Sequence, residues 1–244
     1  MGKRLHGKKV VVIGGTSGIG FGIAEAALGE GAKVVVASSQ QSKVDTALKR
    51  LGGQSNGTTI DVKDEADVAR FFERLGKFDH LAYTAGDWTP LRTGGTLPEI
   101  EIGAANAVFT VRFWGALAAV KHCHRTIAPN GSITITDGMV AHRPRKGAAL
   151  NTAMAGAVEH LARSLAVDLA PVRVNAVCPG LVLTEVWDSM PADQREERLK
   201  AATQRQPLAR AGTPAELAEA YLYLMCGTYT TGQVLYVDGG LSLV

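Results

Sequence analysis

The chain is poor in several features that mark whole classes of protein. Its three cysteines (Cys123, Cys178, Cys226) are odd in number, widely spaced and never in a CxxC pair. That argues against a disulfide framework or a structural zinc site and points to a reducing compartment. There is little charge excess: 26 Lys+Arg against 23 Asp+Glu leaves +3, too small and too dispersed for a nucleic-acid face. No apolar run approaches the ~20 residues that span a bilayer. Met1–Lys9 holds no leader of the basic-then-apolar kind, so the expectation is a cytoplasmic protein with neither membrane nor nucleic-acid partner. Internal repeats, low-complexity tracts and linkers are missing as well. What remains is one globular domain over residues 1–244, with 46% hydrophobic residues to bury without covalent or metal staples.

What is present alternates. Short β-rich runs fall at Lys9–Ile13, Lys33–Ser38, Thr58–Ile60, Asp79–Tyr83, Ser132–Thr136, Val172–Val177 and Val234–Val237. Helical patterns lie between them, at about Gly18–Glu30, Ser42–Leu51, Glu65–Leu75, Ile100–Arg125, Leu150–Ala170 and Pro214–Met225. Continuous apolar strands separated by helices predict an α/β fold, a parallel sheet covered on both faces. With right-handed crossovers the architecture is a doubly wound, seven-stranded sheet. The charged stretch Thr184–Arg210 has no strand of its own and reads as an excursion over the sheet edge, a candidate substrate lid.

In such a sheet ligands bind beyond the carboxyl ends of the strands. The first strand runs into Gly14-Gly15-Thr16-Ser17-Gly18-Ile19-Gly20, and a helix follows. Glycines let that backbone turn tightly and approach a pyrophosphate, which faces the N–H groups and the positive end of the helix dipole. Strand before and helix after is the context a dinucleotide site requires. An acid ~20 residues beyond the glycines would hold the ribose 2′-OH of NAD. The second strand ends instead in Ser38-Ser39-Gln40-Gln41-Ser42-Lys43. Two hydroxyls and a lysine suit a 2′-phosphate, so NADP(H) is the favoured cofactor, with NAD(H) left open.

Together with Asp61-Val62, Thr84-Ala85-Gly86, the run Arg173–Gly180 with Thr184, and Thr231-Gly232-Gln233 leading to Val237-Asp238-Gly239-Gly240, this loop resembles the short-chain dehydrogenase/reductase superfamily along nearly the whole chain. The resemblance implies a Rossmann-type fold in which Asp61 and Val62 flank the adenine and Ala85 and Gly86 line the ribose path. It also implies that Pro179, Gly180, Val182 and Thr184 hold the nicotinamide amide, that the substrate is a small molecule, and that the long helices pair copies into a homodimer or homotetramer.

The catalytic positions depart from the family. Its serine falls at Gly138, its tyrosine at Asn151, its lysine at Ala155 and its asparagine at Arg112, so the usual proton relay is absent. Asp137 and Arg112 remain as the candidate catalytic pair. They are expected to pair with one another, which would lower the Asp137 pKa and keep it ionised. A fixed carboxylate suits a cationic acceptor, so hydride transfer to an imine or iminium is the expected reaction. The chain is also similar to a divergent branch of the superfamily, reductases of fungal bicyclic indole alkaloid pathways, some of which guide a cycloaddition. That likeness rests on Val111-Arg112-Phe113, Gly156-Ala157-Val158-Glu159, Ala166-Val167-Asp168 and Asp238-Gly239-Gly240-Leu241. It implies functional roles at Arg112 and Asp137.

The competing readings are a structural Arg112–Asp137 pair closing a dead site, and a non-redox protein, cyclase-like or sensing, that retains the nucleotide. No metal is expected: His122 and His124, at i and i+2, do not share a helix face. His142, Arg143, Arg145 and Lys146 stand at the mouth of the site, as a source of an alternative proton, a seat for an anionic substrate, or a solvated basic loop. Cys178 reads as a small packed residue rather than a nucleophile.

Overall fold

Val10-Val11-Val12-Ile13 is β-branched throughout and buried throughout, which requires helices on both faces of the strand. In the computed structural model, which describes residues 2–53, 55–87 and 96–244, it is a central strand. Seven strands pair in parallel in the order β3-β2-β1-β4-β5-β6-β7. They are β1 (Lys9–Ile13), β2 (Lys33–Ser38), β3 (Ser55–Thr59), β4 (Phe78–Tyr83), β5 (Ile127–Thr136), β6 (Arg173–Pro179) and β7 (Val234–Val237). The doubly wound sheet is thus as expected, with the order reversing between β1 and β4. β4 and β6 shift by one or two residues from the expected ranges, and two strands begin well before them. β3 is the polar run Ser-Asn-Gly-Thr-Thr, which the backbone of β2 recruits by pairing Val34–Ser38 with Ser55–Thr59, so apolar content gave no sign of its start. β5 begins at Ile127, which pairs with Phe78 before a register shift.

The helices are α1 (Gly18–Gly29), α2 (Gln41–Leu51), α3 (Glu65–Leu75), α4 (Ile102–Cys123), α5 (Ala149–Asp168), α6 (Ala192–Thr203) and α7 (Pro214–Cys226). Alternation along β1 divides them. Val11 and Ile13 face α3, α4 and α5 through Phe71, Phe72, Ala119, Met154 and Val158. Val10 and Val12 face α1, α2 and α7 through Ile23, Ala24, Ala47, Leu217 and Tyr221. Local signals set the ends: Asp64 caps α3 by accepting from the Ala66 N–H, and α7 opens on a reciprocal Thr213–Glu216 capping box followed by Pro214. By length and composition alone the 22-residue α4 is long and apolar enough to cross a membrane, with an 18-residue window of mean hydropathy 1.3. A core helix meets the same criterion, and α4 buries Ala116, Ala119, Val120 and Cys123 in the sheet's core.

The excursion at 184–210 contains a short turn (Glu185–Ser189) and the mostly exposed α6, tied to the body by a bridge between Val182 and Gly212. At the carboxyl end of β5 a buried relay of hydroxyls fixes the strand. Tyr221 on α7 lies 2.6 Å from Thr136 Oγ1, which donates to the Tyr83 carbonyl at 2.8 Å. The single Thr136 proton is committed to that carbonyl, so Tyr221 is the donor to Thr136. Tyr221→Phe therefore removes one hydrogen bond and is expected to cost about 1 kcal/mol. Thr136→Val leaves a buried phenol without its acceptor and is expected to cost more, about 1–3 kcal/mol. Urea midpoints of the two variants check the order, which reverses if the donor assignment is wrong.

Candidate active site

The glycine loop is built for close approach. Gly14 has φ +86°, and a Cβ on Gly20 would collide with the Gly14 carbonyl oxygen, so loop and helix close on each other only without side chains. Ser17, the first flanking residue of α1, makes no side-chain cap, which leaves the helix N–H groups facing outward. One of them already holds an anion: Gly18 N–H donates to Glu185 Oε2 at 2.7 Å. That carboxylate oxygen stands where a phosphate oxygen would sit, and Arg50 lies 3.9 Å from its other oxygen while resting over the Phe21 ring at 3.8 Å. The loop thus has at least one N–H free to meet an acceptor from outside the helix, here one of the chain's own carboxylates.

The remaining residues expected at the cofactor lie along the same end of the sheet. Thr16 is buried, Gly18 and Ile19 are half-buried, and Ser17 is exposed. Ser38 is half-buried at the end of β2, with Ser39 and Lys43 exposed beyond it. Asp61 is tied into its own turn, accepting from the Lys63 N–H at 3.0 Å, and Val62 beside it is half-buried. Ala85 and Gly86 follow β4. Pro179 ends β6, Gly180 packs on the Asp238 backbone, Val182 is buried, and Thr184 lies against the loop at Gly18. Lys63 and Asp87 form an ion pair at 3.1 Å between the third and fourth of these turns.

Arg112 owes its place to the π turn Thr110–Trp114 inside α4. The extra residue in that turn frees the Val111 carbonyl, which accepts from the buried Tyr83 hydroxyl at 2.5 Å. The half-buried guanidinium packs on Gly86, where a Cβ would stand 2.7 Å from Nη2. Burial pulls the Arg112 pKa down, and the Asp137 charge opposes that shift.

Asp137 differs from the sequence expectation. It is 3% exposed, its two oxygens accept no hydrogen bond from the described residues, and no cation among them lies within 4.0 Å of it. Its close charged neighbour is another acid. One donor atom from each of Asp137, Glu159, His142 and Cys178 lies within 4.8 Å of the others. Burial and then Glu159 push the Asp137 carboxyl up to about 8, against weaker opposing pulls from the Gly138 backbone and Cys178. The expected ionised Asp137–Arg112 pair is thus corrected. Burial without a contacting cation favours the neutral acid.

Glu159 is the functional candidate that sequence reasoning passed over, and it stands against His142, which the sequence placed at the mouth of the site. Asn151, Ala155 and Glu159 form one i, i+4, i+8 stripe on α5, all buried, at the family's tyrosine position, its lysine position and one turn beyond. A carboxylate on that buried stripe was the available signal. Glu159 Oε1 lies 2.5 Å from His142 Nε2. Cys178 is fully buried, and desolvation raises its thiol pKa, as befits a packed residue. His122 meets Glu65 at 3.0 Å rather than His124. An open cleft of about 480 Å³, lined by Thr96, Pro98, Arg145, Lys146 and Thr152, lies beside the start of α5.

Comparison with known proteins gives consistent relatives. Residues 14–242 match the family model described as enoyl-(acyl carrier protein) reductase. The chain is 34% identical over 256 residues to the short-chain dehydrogenase/reductase malC of Malbranchea aurantiaca, covering 98% of this chain and 96% of that one. It is 37% identical over 257 residues to the short-chain dehydrogenase/reductase ucsE of an Acremonium species, covering 97% and 96%. The solved structure of MalC Reductase/Diels-Alderase from M. aurantiaca has a TM-score of 0.92 at 34% identity, covering 99% of each chain. A small-chain dehydrogenase in complex with NADPH has a TM-score of 0.83 at 36% identity, covering 97% of this chain and 99% of that one.

The Asp137 environment has a thermodynamic signature. The unfolded chain releases this proton near the ordinary value of ~3.9, whereas the fold retains it to about 8. Between those values the folded state binds more protons, so this group's contribution makes stability fall as pH rises from about 4 to about 8. Urea unfolding at pH 5 and pH 8 should show a smaller loss in Asp137→Asn than in the parent. Equal losses would mean the carboxyl is not held neutral.

Proposed function

The chain belongs to the short-chain dehydrogenase/reductase family, and we propose that it is an NADP(H)-dependent reductase of carbon–nitrogen double bonds with Asp137 as its acid. The observation that carries the reading is the buried Asp137 carboxyl at the end of β5, with Glu159 beside it and no contacting cation among the described residues, an environment that favours the neutral acid. Ser38, Ser39 and Lys43 suit a 2′-phosphate, and a relative of similar fold is a complex with NADPH. When bound, the dinucleotide supplies the hydride.

The chain's own residues do the rest. The N–H groups at the start of α1 receive the phosphates once Glu185 withdraws, and Thr184–Arg210 closes over the substrate as a lid. Asp137 gives its proton to an imine nitrogen, which makes the adjacent carbon electrophilic, and the resulting carboxylate stays beside the cation it has created. An imine nitrogen is basic enough to take a proton from a carboxylic acid before the hydride arrives, whereas a ketone oxygen is not. Arg112, packed on Gly86, positions the polar end of the pocket. The exposed Trp114 of α4 and Val167 of α5 lie on the helices through which copies of the chain would pair.

NADPH consumption with matched cyclic imines and ketones tests the reading. Imines are expected to turn over and ketones to lag, and Asp137→Asn is expected to lower kcat on imines about 100-fold or more. Preference for ketones would sink it. Equal product formation with NADPH and NADP⁺ would favour the non-redox activity that the second half of the name Reductase/Diels-Alderase gives a relative. A separate expectation concerns the loop: Glu185→Gln removes the competing carboxylate, and calorimetry should show NADPH bound about two- to fivefold more tightly. Unchanged affinity would mean that the carboxylate does not occupy the phosphate seat.

A further inference from the structure

We propose that Glu159 and His142 form a proton path from solvent to Asp137, with Tyr236 packed against its outer end, taking over the work of the tyrosine and lysine this chain lacks. The inference rests on the reductase reading for its chemical purpose, but the path itself is a property of the fold. Exposure falls steadily along it: the His142 side chain is 30% exposed, that of Glu159 is 4% exposed, and Asp137 is 3% exposed. His142 Nε2 lies 2.5 Å from Glu159 Oε1 and 3.1 Å from the Tyr236 hydroxyl, whose ring centroid is 4.7 Å from the imidazole. Donor atoms of Asp137, Glu159 and His142 lie within 4.8 Å of one another, a span that one rotamer change or one water closes.

The path is the one that the described residues around Asp137 favour. Its oxygens accept no hydrogen bond from them. The groups around it are poor donors: Cys178 is held as a thiol by burial, Tyr221 is buried and committed to Thr136, and Arg112 is a guanidinium. Arg163 faces Tyr236 electrostatically at the outer end. The steps balance as proton transfers alone. Asp137 gives its O–H proton to the substrate nitrogen, Glu159 reprotonates the Asp137 carboxylate, the His142 imidazolium reprotonates Glu159, and solvent reprotonates His142. The same donor types also ligate metals. However, 2.5 Å between Nε2 and Oε1 is a hydrogen-bond distance; two ligands of one tetrahedral zinc, each about 2.0–2.2 Å from the ion, stand farther apart.

Two measurements test the path. The first compares a neutral cyclic imine with its N-methylated iminium salt, which already carries its charge and needs no proton. Glu159→Gln and His142→Gln are expected to lose at least about tenfold more steady-state rate on the neutral imine than on the salt. Added imidazole should restore part of the rate of His142→Ala. Equal losses on both substrates, or none, would overturn the path while leaving the reductase reading intact. The second needs no activity. The infrared band of the buried carboxylic acid, assigned by its disappearance in Asp137→Asn, should exchange with D₂O more slowly in Glu159→Gln and His142→Gln than in the parent. Unchanged exchange would overturn the path, as would one equivalent of tightly held zinc in the purified protein. Failure of the parent to reduce any imine, with slowed exchange still seen, would instead remove the reductase reading alone.

Discussion

A carboxyl group enclosed among apolar strands without a contacting cation cannot afford its charge, and the candidate site is organised around that constraint. Asp137 sits at the carboxyl end of β5, where Thr136 anchors the strand to Tyr83 and Tyr221, and the backbone fixes which way the next side chain points. Desolvation and the neighbouring Glu159 then favour the protonated acid. Arg112 is close enough to feel the charge but is packed elsewhere, on Gly86. Had it formed a contact ion pair, the same aspartate would be a permanent anion and could hold a cation but not create one. The choice between a counter-ion and an acid thus turns on a few ångströms at the end of one helix turn.

The scaffold and the chemistry separate cleanly in this chain. The scaffold is a parallel sheet whose strand ends gather the glycine loop, the β4 turn and the β6 turn, and the family comparison agrees over residues 14–242. Helix-dipole binding of phosphate needs only backbone, so it tolerates side-chain change, and the contact of Glu185 with Gly18 shows the loop accepting an anion. Proton transfer needs particular side chains in particular places. By the sequence resemblance the family's positions fall at Gly138, Asn151, Ala155 and Arg112, and Glu159, one turn along α5 from Ala155, is in contact with His142.

Different parts of this arrangement were legible in the sequence for different reasons. The loop Gly14–Gly20 was readable because its signal is local: a strand, glycines and a helix in succession. β1 and β2 were readable from unbroken apolar runs, whereas β3 was not, since edge pairing with β2 ordered a polar segment. Arg112 and Asp137 were identifiable as unusual residues in apolar surroundings, but which charge would meet which was not. The π turn in α4 aims Arg112, and no periodicity announces it. Glu159 was visible as a carboxylate on a buried stripe, yet its partners stand 22 residues before it at Asp137 and 17 before it at His142.

By itself the sequence determined the class of fold, the family and the glycine loop between the first strand and the first helix, because each depends on residues adjacent or periodic along the chain. The tertiary structure alone decided that Asp137 is buried without a contacting cation among the described residues and that Glu159 and His142 stand behind it. Protonation in an interior is set by what lies within a few ångströms in space, and only the packed sheet and helices bring those three groups together.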